Sequence, residues 1–362
     1  MFINNPFSEA FGLDIGDLSL KLVRLSAHKK WPSDDISYKI ESAKIVSLPA
    51  GYIVNGEIQQ PEMVRKKLLQ LLGREGNDKS KKAASPWVVT DLPEPKTFLT
   101  SIELEMPSEQ VTQEDVEYQS QKHLPFDLSE AYLDWQVIKS KEKSKFTRVL
   151  IGAVQKSIAD SYVYLLESAG LQPIALEIES LAIARGLISD SNGAKAILDL
   201  GATRSAIIIY DQGGVRFSTA INFSGEIITM ALEQKLNLDY KTAEELKIKS
   251  GLNYIKEHHN YLKIVDELIN GLVKDIKRII LYYQEHYPDS HPIEKIELCG
   301  GMAEMQNLSS TLGRRLKIKC ELTSSWRNMD TKNLSESEKR QGLTMVSATG
   351  LAMRAIINPY NE

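Results

Sequence analysis

Two Asp-x-Gly turns, Leu13-Asp14-Ile15-Gly16 and Leu198-Asp199-Leu200-Gly201, stand 185 residues apart, each between apolar runs of β type. Around the first, the alternation of apolar and polar residues predicts strands over 11–15, 20–26 and 38–48. Around the second it predicts strands over 196–200, 205–211 and 215–221. A chain that builds strand, tight turn, strand, turn, strand twice, and follows each set with helices, is a duplicated α/β body rather than a string of unrelated domains. One such turn is an ordinary hairpin. Two of them can close on one polyphosphate from opposite sides, offering successive backbone N–H groups to phosphate while Asp14 is available to hold a water on a magnesium ion.

A third glycine turn strengthens this reading. Ile296-Glu297-Leu298-Cys299-Gly300-Gly301-Met302 reads as a strand, a Gly-Gly turn and a following helix, where the backbone can approach a ligand closely. Between the two repeats, strands over 98–104, 132–139, 146–155 and 174–178 and helices over 112–124 and 156–170 form a β-α-β-β-α-β set. Pro61 opens a helix, and further helical periodicity covers 180–187, 226–235, 240–249, 258–287 and 343–357. In the longest, Leu262, Val265, Leu268, Leu272, Ile276 and Ile279 form a core-facing stripe. The polar stretch 73–85, with Lys79, Lys81 and Lys82, reads as a solvated loop.

Composition removes several classes of function. With 44 Lys and Arg against 48 Asp and Glu the net charge is −4, so no global field draws nucleic acid or an anionic bilayer. Cys299 and Cys320 are the only cysteines, and no histidine stands close enough in sequence to complete a zinc cluster; the pattern suits a reducing compartment, the cytoplasm. His258 and His259, being adjacent, point apart on a helix, and Trp31, Trp87, Trp135 and Trp326 read as core or groove residues. No secretory signal, membrane-spanning run or basic amphipathic tail is legible, so contact with a membrane needs a partner.

The two Asp-x-Gly hairpins and the strand-Gly-Gly-helix segment resemble the phosphate-1, phosphate-2 and adenosine motifs of the actin/Hsp70/sugar-kinase superfamily. Within it the chain is similar to the type IV pilus assembly PilM family, on the FtsA-like branch. That likeness rests on the inserted β-α-β-β-α-β set, with Gln121-Lys122-His123-Leu124-Pro125-Phe126 and Tyr132-Leu133-Asp134-Trp135, and on Glu167-Ser168-Ala169-Gly170-Leu171, Ala243-Glu244-Glu245-Leu246-Lys247 and Ala348-Thr349-Gly350-Leu351-Ala352-Met353-Arg354. It implies an α/β, actin-like (ribonuclease H-like) duplicated two-lobe ATPase fold with an inserted FtsA-type (SHS2) subdomain. The expected parts are 1–94 as subdomain 1A, 95–178 as the inserted 1C, 179–194 returning to 1A, 195–341 as the second lobe (2A/2B) and 342–362 as a closing helix of 1A.

The resemblance also implies ATP and Mg as ligands. Asp14 and Asp199 become the magnesium-side acids, and Gly16, Asp17, Ser19, Lys21, Gly201, Thr203 and Ser205 line the phosphates. Ser224 and Gly225 approach them, Glu244 and Lys247 lie by ribose and base, and Gly300, Gly301 and Met302 border the adenine. The chain departs from the family's usual glycine pair at Asn222-Phe223-Ser224-Gly225 and from its usual Asn-Pro at Ser324-Ser325-Trp326. Glu177 and Glu179 are the candidates for a water-positioning catalytic carboxylate, with slow hydrolysis or none expected.

The function implied is a cytoplasmic, ATP-binding adaptor of the type IV pilus or a related type II secretion platform. It would bind the N-terminal peptide of a PilN-like membrane protein in a groove between 1A and 1C and so stay peripheral to the inner membrane. Other motor or platform proteins and self-association are further expected contacts. The alternatives are a small-molecule kinase of the same superfold and an FtsA-like filament-forming protein; the chain lacks the acidic base of the one at a recognisable position and the membrane-binding tail of the other.

Overall fold

The computed structural model describes residues 5–7, 9–29, 36–74, 85–138, 146–188, 193–256, 258–287, 289–327, 329–332 and 334–357. Lys79, Lys81, Lys82 and Trp31 lie outside them, as does the last stretch of the 342–362 segment. The chain divides into two compact units, one of residues 1–189, 215–218 and 325–362 and the other of 190–214 and 219–324.

The first unit is built on a five-stranded sheet. The strands Phe11–Ile15, Ser19–Lys29 and Ile36–Ser47 form the antiparallel meander, and Trp87–Leu92 and Gln172–Ile178 add on the other side in parallel. Parallel strands need covered faces. On one face lies the helix Pro61–Leu71, begun by proline at its first position, with Val64, Leu68 and Leu71 buried among Leu13, Ile15 and Leu20. On another, Ala182 of the helix Glu179–Leu187 and Leu351 and Ala355 of the helix Val346–Ile356 pack on Val89 and Ile174.

Trp326 and Leu334 pack here too, buried with Val23, Leu25, Ile40 and Ala348. Trp326 Nε1 donates to Thr349 Oγ1 at 3.0 Å, which gives the residues that stand in place of Asn-Pro a structural task.

The six-element β-α-β-β-α-β set is divided. Thr97–Leu104, Thr147–Gln155 and Ala131–Ile138 pair in that order as an antiparallel sheet, with Val116 of the helix Gln113–Ser120 buried on Ile102, Val149 and Ile151. Thr112 and Asp115 cap that helix reciprocally, and it stops at Ser120 rather than reaching 124. The last two elements go elsewhere. The helix Lys156–Ser168 buries Ile158, Tyr162, Leu165 and Leu166 in the same core as Leu13 and Leu68, and Gln172–Ile178 pairs with Trp87–Leu92.

In the second unit, Lys319–Leu322, Ile293–Cys299, Ala194–Leu200 and Ser205–Asp211 lie side by side in that order. The third strand of the meander is Gly214–Ile221, whose residues 215–218 belong to the first unit. The helices Gly225–Leu236, Tyr240–Ser250 and Tyr261–His286 come next, the last starting at 261 instead of 258. Of its expected stripe, Val265, Leu272 and Ile276 are fully buried while Leu262, Leu268 and Ile279 are half-buried. The helix Leu308–Leu316 and the edge strand after it were not legible from periodicity.

Candidate functional site

The two Asp-x-Gly turns are built alike down to their closing hydrogen bonds. In the first, Asp14 stands across from Lys21 and Ile15 across from Leu20, and Gly16 N–H donates to Ser19 O at 3.0 Å. In the second, Asp199 stands across from Ala206 and Leu200 across from Ser205, and Gly201 N–H donates to Arg204 O at 3.0 Å. Each pairing in one turn maps onto the other by the same 185 residues.

Around the first turn the parallel strand Trp87–Leu92 supplies an acid that lies outside the Asp-x-Gly motifs. Thr90 Oγ1 donates to Leu13 O at 2.8 Å, and the next residue, Asp91, accepts from Ile15 N–H at 3.2 Å. Carboxylate oxygens of Asp14, Asp91 and Glu179 all lie within 4.8 Å of one another. Asp14 and Asp91 are buried, and Lys21 Nζ is 2.7 Å from Asp14 Oδ2. Three hard oxygen donors fit a magnesium ion, and one fixed ammonium offsets part of their mutual repulsion.

Two other residues of this unit have different tasks from those the motif implies. Asp17 turns away from the loop and accepts from Asn55 and Gly56 N–H, both at 3.1 Å. Glu177, with its side chain 1% exposed, is held by both guanidinium nitrogens of Arg185 and by Arg354 at 3.4 Å. Of the two candidate catalytic carboxylates, only Glu179 stands with Asp14.

The second unit gathers most of its candidates in one place. Gly225 N–H donates to Gly201 O at 3.2 Å and Glu226 N–H to Ala202 O at 2.8 Å, so the turn rests on the start of the helix Gly225–Leu236. Ser224 caps that helix by accepting from Ile227 N–H at 3.3 Å. Its first N–H groups are thus taken by protein, and the helix end steadies the turn instead of facing phosphate. Lys247, buried, donates to Gly225 O at 2.9 Å, Thr229 Oγ1 at 2.9 Å and Glu244 Oε2 at 2.6 Å, which commits all three of its protons.

Gly300 has φ +84°, and a Cβ there would lie 2.4 Å from Leu200 O and 2.6 Å from Asp199 Oδ1, so no other residue fits. Cys299 Sγ is 3.6 Å from Asp199 Oδ1. After Gly300 comes a four-residue 3₁₀ turn, Gly301–Glu304, in place of the expected helix; it keeps Met302 buried against Gly225. Ser205 Oγ is buried and makes no hydrogen bond, and Thr203 is half-exposed in the turn. An unoccupied buried hydroxyl beside a glycine-lined turn is compatible with a phosphate ligand.

No helix of the described residues is long and apolar enough to cross a membrane. A family model described as type IV pilus assembly protein PilM matches residues 12–356. Among solved structures, a PilM-PilN type IV pilus biogenesis complex is similar with a TM-score of 0.80 and 22% identity, over 97% of this chain and 99% of that one. Ethanolamine utilization protein EutJ from Carboxydothermus hydrogenoformans is similar with a TM-score of 0.51 and 14% identity, over 96% and 89%. Cell division protein FtsA of Staphylococcus epidermidis is 28% identical over 102 residues, 27% of this chain, and the match spans 22% of that protein's length. The fold is the actin-like ATPase fold that the repeated turns lead one to expect.

Proposed function

The chain belongs to the type IV pilus assembly protein PilM family, and from that premise we propose that it is an ATP-binding adaptor of a pilus assembly platform. In this reading it works at the cytoplasmic face of the inner membrane and reaches the membrane by holding the N-terminal tail of a PilN-like protein. The observation that carries the nucleotide half is the identity of the two turns, each closed by a 3.0 Å hydrogen bond from its glycine and each led by an aspartate. Main-chain N–H groups in such turns suit phosphate, and Lys21 adds a charge at the first.

Asp14, Asp91 and Glu179 would hold magnesium, which when bound neutralises phosphate charge. Asp199, Gly201, Thr203 and Ser205 would face phosphate in the second unit. Gly300, Gly301 and Met302 would border a flat base, and Glu244, a third exposed, keeps an oxygen for a ribose hydroxyl. With Glu177 committed to two arginines, Glu179 would be the one of the two candidate glutamates to orient water, with slow hydrolysis or none.

The partner half of the reading is supported by family membership and by the likeness to a complex whose name includes PilN. Calorimetry of the full chain tests both halves. Mg-ATP binds the wild type but not the chain carrying Asp14→Ala together with Asp199→Ala. A synthetic peptide of the PilN-like N-terminus binds the wild type in the presence of Mg-ATP, and absence of that heat sinks the adaptor reading.

A further inference from the structure

We infer that Asp17 is a positioning residue that couples the first phosphate turn to the inserted sheet through a small hairpin. This rests on the reading of that turn as a phosphate site only for its biological use; the coupling itself is a property of the fold. Ile53–Val54 and Glu57–Ile58 pair as two-residue strands. Their turn residues Asn55 and Gly56 both have positive φ, 50° and 79°, the geometry of a type I′ hairpin. So short a hairpin does not hold its position alone: Ile53 anchors its base in the core with Leu13 and Leu68, and its tip takes its position from polar ties.

Three ties fall on three consecutive residues. The buried Asp17, next to Gly16, accepts from the N–H groups of Asn55 and Gly56 at 3.1 Å each. Gly56 O accepts from the hydroxyl of Tyr162, which is 0% exposed, at 2.9 Å. Glu57 pairs with Lys96, the residue directly before the strand Thr97–Leu104 of the inserted sheet. A displacement of the Gly16–Ser19 turn therefore moves the hairpin tip, and the tip pulls on the helix Lys156–Ser168 and on the root of the inserted sheet. Coupling of this kind runs equally in both directions.

Hydrogen exchange on the full chain tests it without any ligand. Tyr162→Phe removes one hydroxyl at the far end and is expected to speed exchange over residues 16–20 about fivefold, the effect of one lost hydrogen bond. Asp17→Ala is expected to speed exchange by a similar factor over 53–58 and also over 97–104. Asp17→Asn, which keeps an acceptor for one of the two N–H groups, recovers much of the protection. If Tyr162→Phe and Lys96→Ala both leave 16–20 exchanging at the wild-type rate in a folded chain, the coupling is overturned. In a second arm Mg-ATP protects 97–104 in the wild type and not in Asp17→Ala. A wild type that gives no heat with Mg-ATP sinks the nucleotide reading and leaves the ligand-free arm to decide the coupling.

Discussion

Lys21 Nζ lies 2.7 Å from Asp14 Oδ2 across the first turn, while the second turn puts Ala206 at the matching position, across from Asp199. Two turns of one geometry thus carry different charge. In the first, the ammonium offsets part of the repulsion among the acids Asp14, Asp91 and Glu179, and in the proposed function it would also attract phosphate. Lys21→Ala should therefore act in opposite directions on two ligands. Divalent cation alone, followed with Mn²⁺ as a paramagnetic probe, should bind several-fold more tightly, and ATP should bind roughly tenfold more weakly, the scale of one charged hydrogen bond. Weaker binding of both would show that the lysine only holds the turn in shape.

The two glutamates on either side of Ile178 should separate cleanly. Glu177→Ala leaves Arg185 and Arg354 without their buried carboxylate and should cost about 3–5 kcal/mol in urea unfolding. Glu179→Gln replaces one carboxylate of the Asp14 group with a neutral amide and should leave the unfolding midpoint close to that of the wild type. It should weaken the magnesium dependence of ATP binding, measured by calorimetry with and without the cation. The reverse pattern would exchange the roles given to these residues.

How much of this was legible in the chain depends on the range of the interaction. The Asp14 and Asp199 turns are local patterns, and strand, turn and glycine all sit within a few residues of each other. Asp91 ends an apolar run just as Asp14 does, yet only the parallel register of 88–90 against 11–13 shows that the two acids meet. Lys247 and Glu244 lie on one helix expected from periodicity, and it is the family resemblance that singles them out. That the lysine spends its protons on Gly225 and Thr229 depends on how two helices pack.

Short elements escape for another reason: two-residue strands have no period to detect. The Asn55-Gly56 dipeptide is a hairpin signal in its own right and marks the 53–58 hairpin, but that Asp17, 38 residues away in sequence, accepts from its turn depends on packing. The break after 155 in the inserted set is also invisible locally, since the helix 156–168 has the same apolar face whichever sheet it covers.

Gly350 marks a close helix crossing in the first unit. A Cβ on it would fall 1.8 Å from Ala182 O, and one on Gly186 would fall 2.8 Å from Val346 O, so the helices Glu179–Leu187 and Val346–Ile356 meet backbone to backbone. Gly350→Ala must push them apart against Val89, Ile174 and Leu351. A loss of about 1–3 kcal/mol or more in urea unfolding is expected, with wild-type stability in the variant counting against this packing.

The charged ladder at the edge of the second unit makes a prediction about pH. Lys319 at 2.5 Å and then Lys295 at 2.9 Å hold the Glu321 carboxyl down from 4.5 to about 2. A carboxylate depressed in the folded chain contributes stability that is complete above its unfolded value, near 4.5, and that is lost as pH falls toward 2. Because Glu321 is 39% exposed, the contribution should sit on the scale of surface pairs, about 0.2–1 kcal/mol, and shrink in salt. Wild type and Glu321→Gln should therefore differ in urea midpoint at about pH 6 and low salt, and converge at about pH 2 or at high salt. A difference that persists through acid would mean that packing of the side chain, and not its charge, supports this edge.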